Sequence, residues 1–112
     1  MDFRVEKIGD VAIVALPGDV LDASNTQAFK QDIEPILESN SRVVLDMTEM
    51  RFIDSSGCGA LLSCLRKLKT RGGDLRLLNV SKMVRGAFKL IRLDQILGIH
   101  DSREEALKAF KP

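Results

Sequence analysis

The sequence contains no tryptophan, no tyrosine, one histidine and two cysteines. With five phenylalanines as its only aromatic residues it has few rings on which bases could stack. Seventeen Lys and Arg against sixteen Asp and Glu leave a formal charge of +1, so there is no positive surplus to grip a phosphate backbone or anionic lipid. Nucleic acid is excluded as a first reading. Cys58 and Cys64 form no CxxC pair, and His100 has no Cys or His at ligand spacing, so no metal is expected. The spacing of the cysteines would put them on different sides of a helix, and they are expected to be reduced thiols. No apolar run approaches the length of a membrane span, and Met1 to Lys7 lacks the basic and apolar segments of a leader. A cytoplasmic protein without direct membrane insertion is expected.

What is present is 112 residues with 45% apolar content, enough for one α/β domain spanning 1–112. Phe3–Ile8 and Val11–Leu16 read as strands joined by a Gly9-Asp10 hairpin. Apolar residues at helical spacing predict a helix over Ser24–Ser39, capped by Ser24 or Asn25, with Pro35 expected to kink or shorten it. Arg42–Met47 reads as a buried strand joined by a parallel crossover. Cys58, Leu61, Leu62, Leu65 and Leu68 then mark a helix with Arg66, Lys67 and Lys69 turned to solvent and Gly72-Gly73 ending it. Leu75–Val80 and Leu97–Ile99 are further strands, and Met83–Ile91 and Glu104–Phe110 further helices. The expected architecture is a mixed sheet with helices packed against it.

Between a buried strand and the leucine-striped helix stands Arg51-Phe52-Ile53-Asp54-Ser55-Ser56-Gly57-Cys58-Gly59. Asp54, Ser55 or Ser56 can cap that helix, which alone explains such residues. Two glycines in a first helical turn cost about 1 kcal/mol each relative to alanine, which asks for a reason. Ser56, Gly59 or Ala60, and Ser63 fall along one edge opposite the leucine stripe, and small residues there suit a docking face. A phosphate on a hydroxyl at this turn would meet free N–H groups and the positive end of the helix dipole.

Other chemistries fit less well. A serine hydrolase lacks a base, since His100 is alone and reads as packing or surface, and the turn does not match G-x-S-x-G. Asp46 resembles a phosphoacceptor aspartate only superficially, because no acidic pair follows the first strand to hold Mg²⁺; a loop role at a strand end fits better. Gly57-x-Gly59 lacks the Gly-Lys-Ser/Thr of a phosphate-binding loop. Arg66 to Arg71 reads as a solvated helix end.

Asp54-Ser55-Ser56-Gly57-Cys58-Gly59, preceded by Val43-Val44-Leu45-Asp46 and Phe52-Ile53 and followed by the leucine-rich helix and Gly72-Gly73, resembles the STAS domain of bacterial anti-sigma factor antagonists over about Val5 to Phe110. The resemblance implies that Ser55 is phosphorylated by an anti-sigma factor that is itself a serine-protein kinase. A PP2C-type phosphatase would reverse the modification. ATP and Mg²⁺ would belong to the kinase, with no cofactor of the chain's own, and the domain would be a switch in transcription regulation, not an enzyme. Asp54 matches the family aspartate, and Ser56 a neighbour that is not the usual acceptor. Gly18-Asp19-Val20-Leu21-Asp22 resembles the family's Gly-x-Leu-Asp turn with one extra residue; Asp22 is either part of the partner surface or a plain turn residue. The expected partner-binding residues are Asp22, Asp54, Ser55, Ser56, Gly57, Gly59 and Ser63. The alternatives are a constitutive scaffold subunit of a stressosome-like or lipid-transport complex, or a small-ligand sensor, which the short chain disfavours.

Overall fold

The computed structural model describes residues 1–110, so residues 111–112 of the expected domain lie outside it. The chain opens with β1 (Arg4–Ile8) and β2 (Val11–Ala15), antiparallel with Ile8 opposite Val11. Gly9 makes the hairpin possible, because its φ of +62° is a conformation that residues with a Cβ rarely adopt. There follow β3 (Val20–Leu21), α1 (Thr26–Ser39), β4 (Arg42–Asp46), β5 (Phe52–Ile53) and α2 (Ser55–Thr70). The chain continues through β6 (Asp74–Leu78), α3 (Lys82–Leu90), a 3-10 turn (Leu93–Gln95), β7 (Gly98–His100) and α4 (Arg103–Lys108). Five strands form a mixed sheet in the order β1-β2-β4-β6-β7, antiparallel only between β1 and β2.

The apolar runs of β2 and β4 have no polar alternation because both sheet faces are covered. Ala12, Val14, Val43, Leu45, Leu75 and Leu77 meet Phe29, Ile33 and Leu37 of α1, Leu61 and Leu68 of α2, and Val84 and Phe88 of α3. Val11, Ile13, Val44 and Leu78 on the other face are covered by Ala106 of α4 and by Phe110. β1 is the exception: it is an edge strand whose residues from Arg4 to Lys7 are exposed.

The α/β class, the hairpin, the parallel crossovers and the main elements match the sequence expectation. Several local readings need correction. The first helix begins at Thr26, not Ser24, and Asn25 occupies the cap position without capping. Its side chain instead accepts from Asp22 N–H (2.9 Å) and donates to the Val20 carbonyl (2.8 Å). Pro35 does not end α1, which continues to Ser39; Pro35 and Gln31 are both exposed, so water can serve the carbonyl left without a helical N–H. Cys58 and Cys64 are reduced, as expected. Both are buried free thiols, since α1 covers one flank of α2 and the sheet covers its base. Burial pushes the Cys58 thiol up and the Cys64 thiol up to about 12.

α2 ends as its glycines predict. Gly72, at φ +79°, donates to the Lys69 carbonyl (3.1 Å) and Gly73 to that of Leu68 (2.8 Å), the paired bonds of a Schellman turn. The basic run at this end is tied down locally. Lys67 pairs with Glu34, Lys69 with Asp74 (3.4 Å), and Arg71 reaches the Glu38 carbonyl (2.6 Å) near the end of α1.

Candidate functional site

Two strands of two residues each build the site. β3 and β5 pair in parallel, Val20 opposite Phe52 and Leu21 opposite Ile53, as a small sheet of their own. The residue after each is an aspartate, so the pairing brings the Asp22 and Asp54 turns together. Just before β3, the Asp19 carbonyl accepts from Arg51 N–H (2.8 Å) and Phe52 N–H (3.0 Å). Neither strand was legible as one, because two residues show no periodicity.

Asp54 caps α2. Its Oδ1 accepts from Gly57 N–H (2.9 Å) and its carbonyl from Cys58 N–H (3.0 Å). Its Oδ2 accepts from Ala23 N–H (3.1 Å), and its own N–H donates to the Leu21 carbonyl (3.3 Å). One carboxylate thus caps the helix and ties down the neighbouring turn. Asp22 Oδ1 accepts from the Ser24 hydroxyl (2.5 Å) and N–H (2.9 Å), and these bonds, the hydroxyl's foremost, hold its carboxyl below the usual range. Asp22 is therefore a turn former that also stands beside the Asp54 cap. Ala23 contributes only its backbone N–H, which nothing in its side chain announces.

Ser55 and Ser56 are both exposed. They lie on different flanks of α2. Ser56 shares its flank with Ala60, Ser63 and Lys67, and the Lys67 pair with Glu34 identifies that flank as the one facing α1. Ala60 is buried and Ser63 half-buried, so of the edge expected to run through Ser56, Gly59 or Ala60, and Ser63, only Ser56 and Gly59 stay open. Ser55, Gly59 and Arg66 are exposed along the outward line. A Cβ on Gly59 would meet nothing within 4 Å.

Gly57 needs the opposite correction. It is buried, and a Cβ there would collide with the Leu21 carbonyl and Ile53 Cγ1. Its smallness lets α2 sit against the β3–β5 pair and offers no outward surface. Asp46 accepts from Thr48 N–H (3.1 Å) and closes a turn at its strand end. His100 is half-buried in β7, and burial with the Arg76 charge lowers its pKa. Among the described residues no group of three His, Cys, Asp or Glu is arranged to hold a metal, and no helix is long and apolar enough to cross a membrane. The arrangement presents two exposed hydroxyls, those of Ser55 and Ser56, at a helix entrance held by the Asp54 cap.

Residues 2–106 match the family model described as STAS domain. A Bordetella bronchiseptica protein, BtrV, provisionally named an anti-sigma factor antagonist, is 30% identical over 111 residues, covering 99% of this chain and 96% of that one. The anti-sigma-B factor antagonist of Bacillus subtilis is 26% identical over 100 residues, covering 89% and 77%. A Thermotoga maritima crystal structure, provisionally described as an anti-sigma factor antagonist, superposes with a TM-score of 0.87 at 26% identity, covering 96% and 92%.

Proposed function

The chain belongs to the STAS domain family, and on that premise we propose that it is an anti-sigma factor antagonist whose partner binding is switched by phosphorylation at Ser55. The observation that carries the reading is the position of Ser55: exposed, the first residue of α2, next to an aspartate already fastened by two backbone amides. The names borne by its relatives support the antagonist role. In the unphosphorylated state the turn formed by Asp22, Asp54, Ser55 and Ser56, continued by Gly59, binds an anti-sigma factor that is also a serine kinase and frees its client. Ser63 borders that surface from the α1 side.

The kinase supplies ATP and Mg²⁺ and places phosphate on Ser55; a PP2C-type phosphatase removes it. The domain is the substrate and switch, acting in the cytoplasm, and catalysis belongs to its partners. A phosphate adds close to two negative charges at an interface shaped for a hydroxyl, and both desolvation and volume then oppose docking.

The test uses the purified chain with the histidine-kinase-type ATPase encoded nearest its gene. Stoichiometric phosphate mapped to Ser55 is expected, with Ser55→Ala held by the kinase in ADP and Ser55→Asp released. Phosphate found mainly on Ser56, or equal retention of both variants, overturns the switch. Retention without any phosphate uptake would mean a constitutive scaffold instead.

A further inference from the structure

Six large apolar side chains stand exposed among the described residues, and four of them, Met83, Leu90, Ile91 and Ile96, fall in one short stretch. Met83 is 69% exposed and Leu90 86%. Only Val84 and Phe88 of α3 are buried in the core. Met83, Ala87 and Leu90, spaced i, i+4, i+7, form a second apolar line beside the first. Phe52 adds a further exposed ring on β5, against which α3 packs.

Gly86 borders this line. A Cβ on it would meet nothing within 4 Å and its φ is not left-handed, so the fold does not require glycine there. Yet glycine inside a helix costs about 1 kcal/mol relative to alanine. What it provides is a flat place where another backbone can approach.

Charge on α3 is one-sided. Lys82, Arg85 and Lys89 occupy the other flank, Arg92 follows, and the stretch from Lys82 to Arg92 contains no acidic residue although the chain's net charge is only +1. Arg85 is held by Asp101 (2.8 Å), while Lys82, Lys89 and Arg92 stand exposed.

We propose that α3 and the turn after it form a docking surface for an acidic amphipathic helix of a protein partner. Its apolar side lies on Met83, Ala87 and Leu90 with Ile91 and Ile96, and its acidic flank faces Lys82, Lys89 and Arg92. A second copy of the chain fits poorly, because a twofold contact would set the same cations against one another. An anionic bilayer favours cations on both sides of an apolar stripe, whereas here they line one side. A line at helical spacing over a glycine floor suits a packed helix. The surface is built on α3 and the turn after it, whereas Ser55 opens α2.

The experiment titrates the isotope-labelled full chain with a synthetic helical peptide of about 16 residues, leucines along one face and glutamates along one flank. A peptide with lysines in place of glutamates, phosphatidylserine vesicles and sedimentation of the chain alone are the other arms. Amide shifts confined to Lys82–Ile96 and the adjoining Phe52 are expected, with affinity falling about tenfold on raising salt to roughly 0.5 M. The Met83→Glu/Leu90→Glu double variant should lose binding by at least about tenfold with an unchanged melting curve, because both side chains are exposed. Gly86→Leu should weaken binding without loss of stability. Shifts elsewhere or none, equal binding of the lysine peptide, adsorption to vesicles in preference to the peptide, or a dimer abolished by Leu90→Glu would each overturn the proposal.

Discussion

Asp54 accepts the backbone N–H of Ala23 at 3.1 Å across the β3–β5 pair while its other carboxylate oxygen holds Gly57 N–H at 2.9 Å. The same side chain fixes the entrance of α2 and the turn that leads into α1. Asp54→Ala removes both bonds and should cost about 1 to 2 kcal/mol, the upper range for losing a cap. Asp54→Asn keeps a carbonyl acceptor for one of the amides and should cost less. Denaturant unfolding checks the order; an Asp54→Ala midpoint equal to the parent's would mean that neither bond contributes.

Phosphorylation at Ser55 should act without refolding the domain. The new charge sits beside the Asp54 carboxylate, but also at the end of α2 where first-turn N–H groups and the helix dipole favour anions by about 0.3 to 1 kcal/mol. These effects oppose each other, so stability should change by no more than about 1 kcal/mol. Binding is more sensitive, because each 1.4 kcal/mol lost at the interface is about tenfold in affinity. Amide exchange on the free and phosphorylated chains should differ only around Asp22 to Ser24 and Asp54 to Gly59. Loss of protection throughout the sheet would show a switch that works by unfolding.

The two glycines of α2 should respond in opposite directions. Gly57→Ala drives a methyl into the Leu21 carbonyl and Ile53, and should destabilise by about 1 to 3 kcal/mol, the range for overpacking. Gly59→Ala meets open space and should stabilise the free chain by up to about 1 kcal/mol. Gly59→Leu should fold as well and weaken partner binding. Thermal melts together with kinase pull-downs separate these effects, and an unfolded Gly59→Leu would place that residue against the core instead.

His100 should make the fold acid-sensitive. Burial and the neighbouring Arg76 charge disfavour its protonated form, outweighing Glu105 and Asp101, so its folded pKa lies below the ordinary value of 6.5. The unfolded chain therefore binds more protons, and the stabilisation is complete above 6.5 and declines as pH falls below it. Unfolding midpoints measured across this window should drop with acid, and His100→Gln should flatten that slope. An unchanged slope in the variant would assign the acid sensitivity to the carboxylates.

Much of the fold could be read before the structure because β2, β4 and α2 are long enough to show a pattern. Val11–Ala15 and Arg42–Asp46 are apolar runs of strand length, and Cys58 to Leu68 follows helical spacing. The Asp54 to Gly59 turn was also legible, as an abrupt change of polarity at a helix entrance. What escaped depends on partners distant in sequence. Gly57 looks like a docking glycine until Leu21 is placed beside it, and Ala60 looks outward until α1 covers its flank. The cap partner of Asp54 is a backbone amide, which no side-chain pattern can reveal. Helical spacing locates an apolar stripe; it does not say how many neighbours a helix will have.

The exposed strand β1 bears on how the molecule behaves when abundant. An open strand edge offers unpaired N–H and C=O groups to any chain that can align with it, and flat apolar edges polymerise. In β1 three of the five residues, Arg4, Glu6 and Lys7, are charged and exposed, so an incoming strand would have to strip water from them. Two of these charges are already engaged, Glu6 with Arg103 (2.8 Å) and Lys7 with Asn40 (2.7 Å). At the opposite edge β7 has only three residues to offer. A regulator that works by titrating its partner must accumulate to at least the partner's concentration, and an edge guarded by charge allows that without fibre growth.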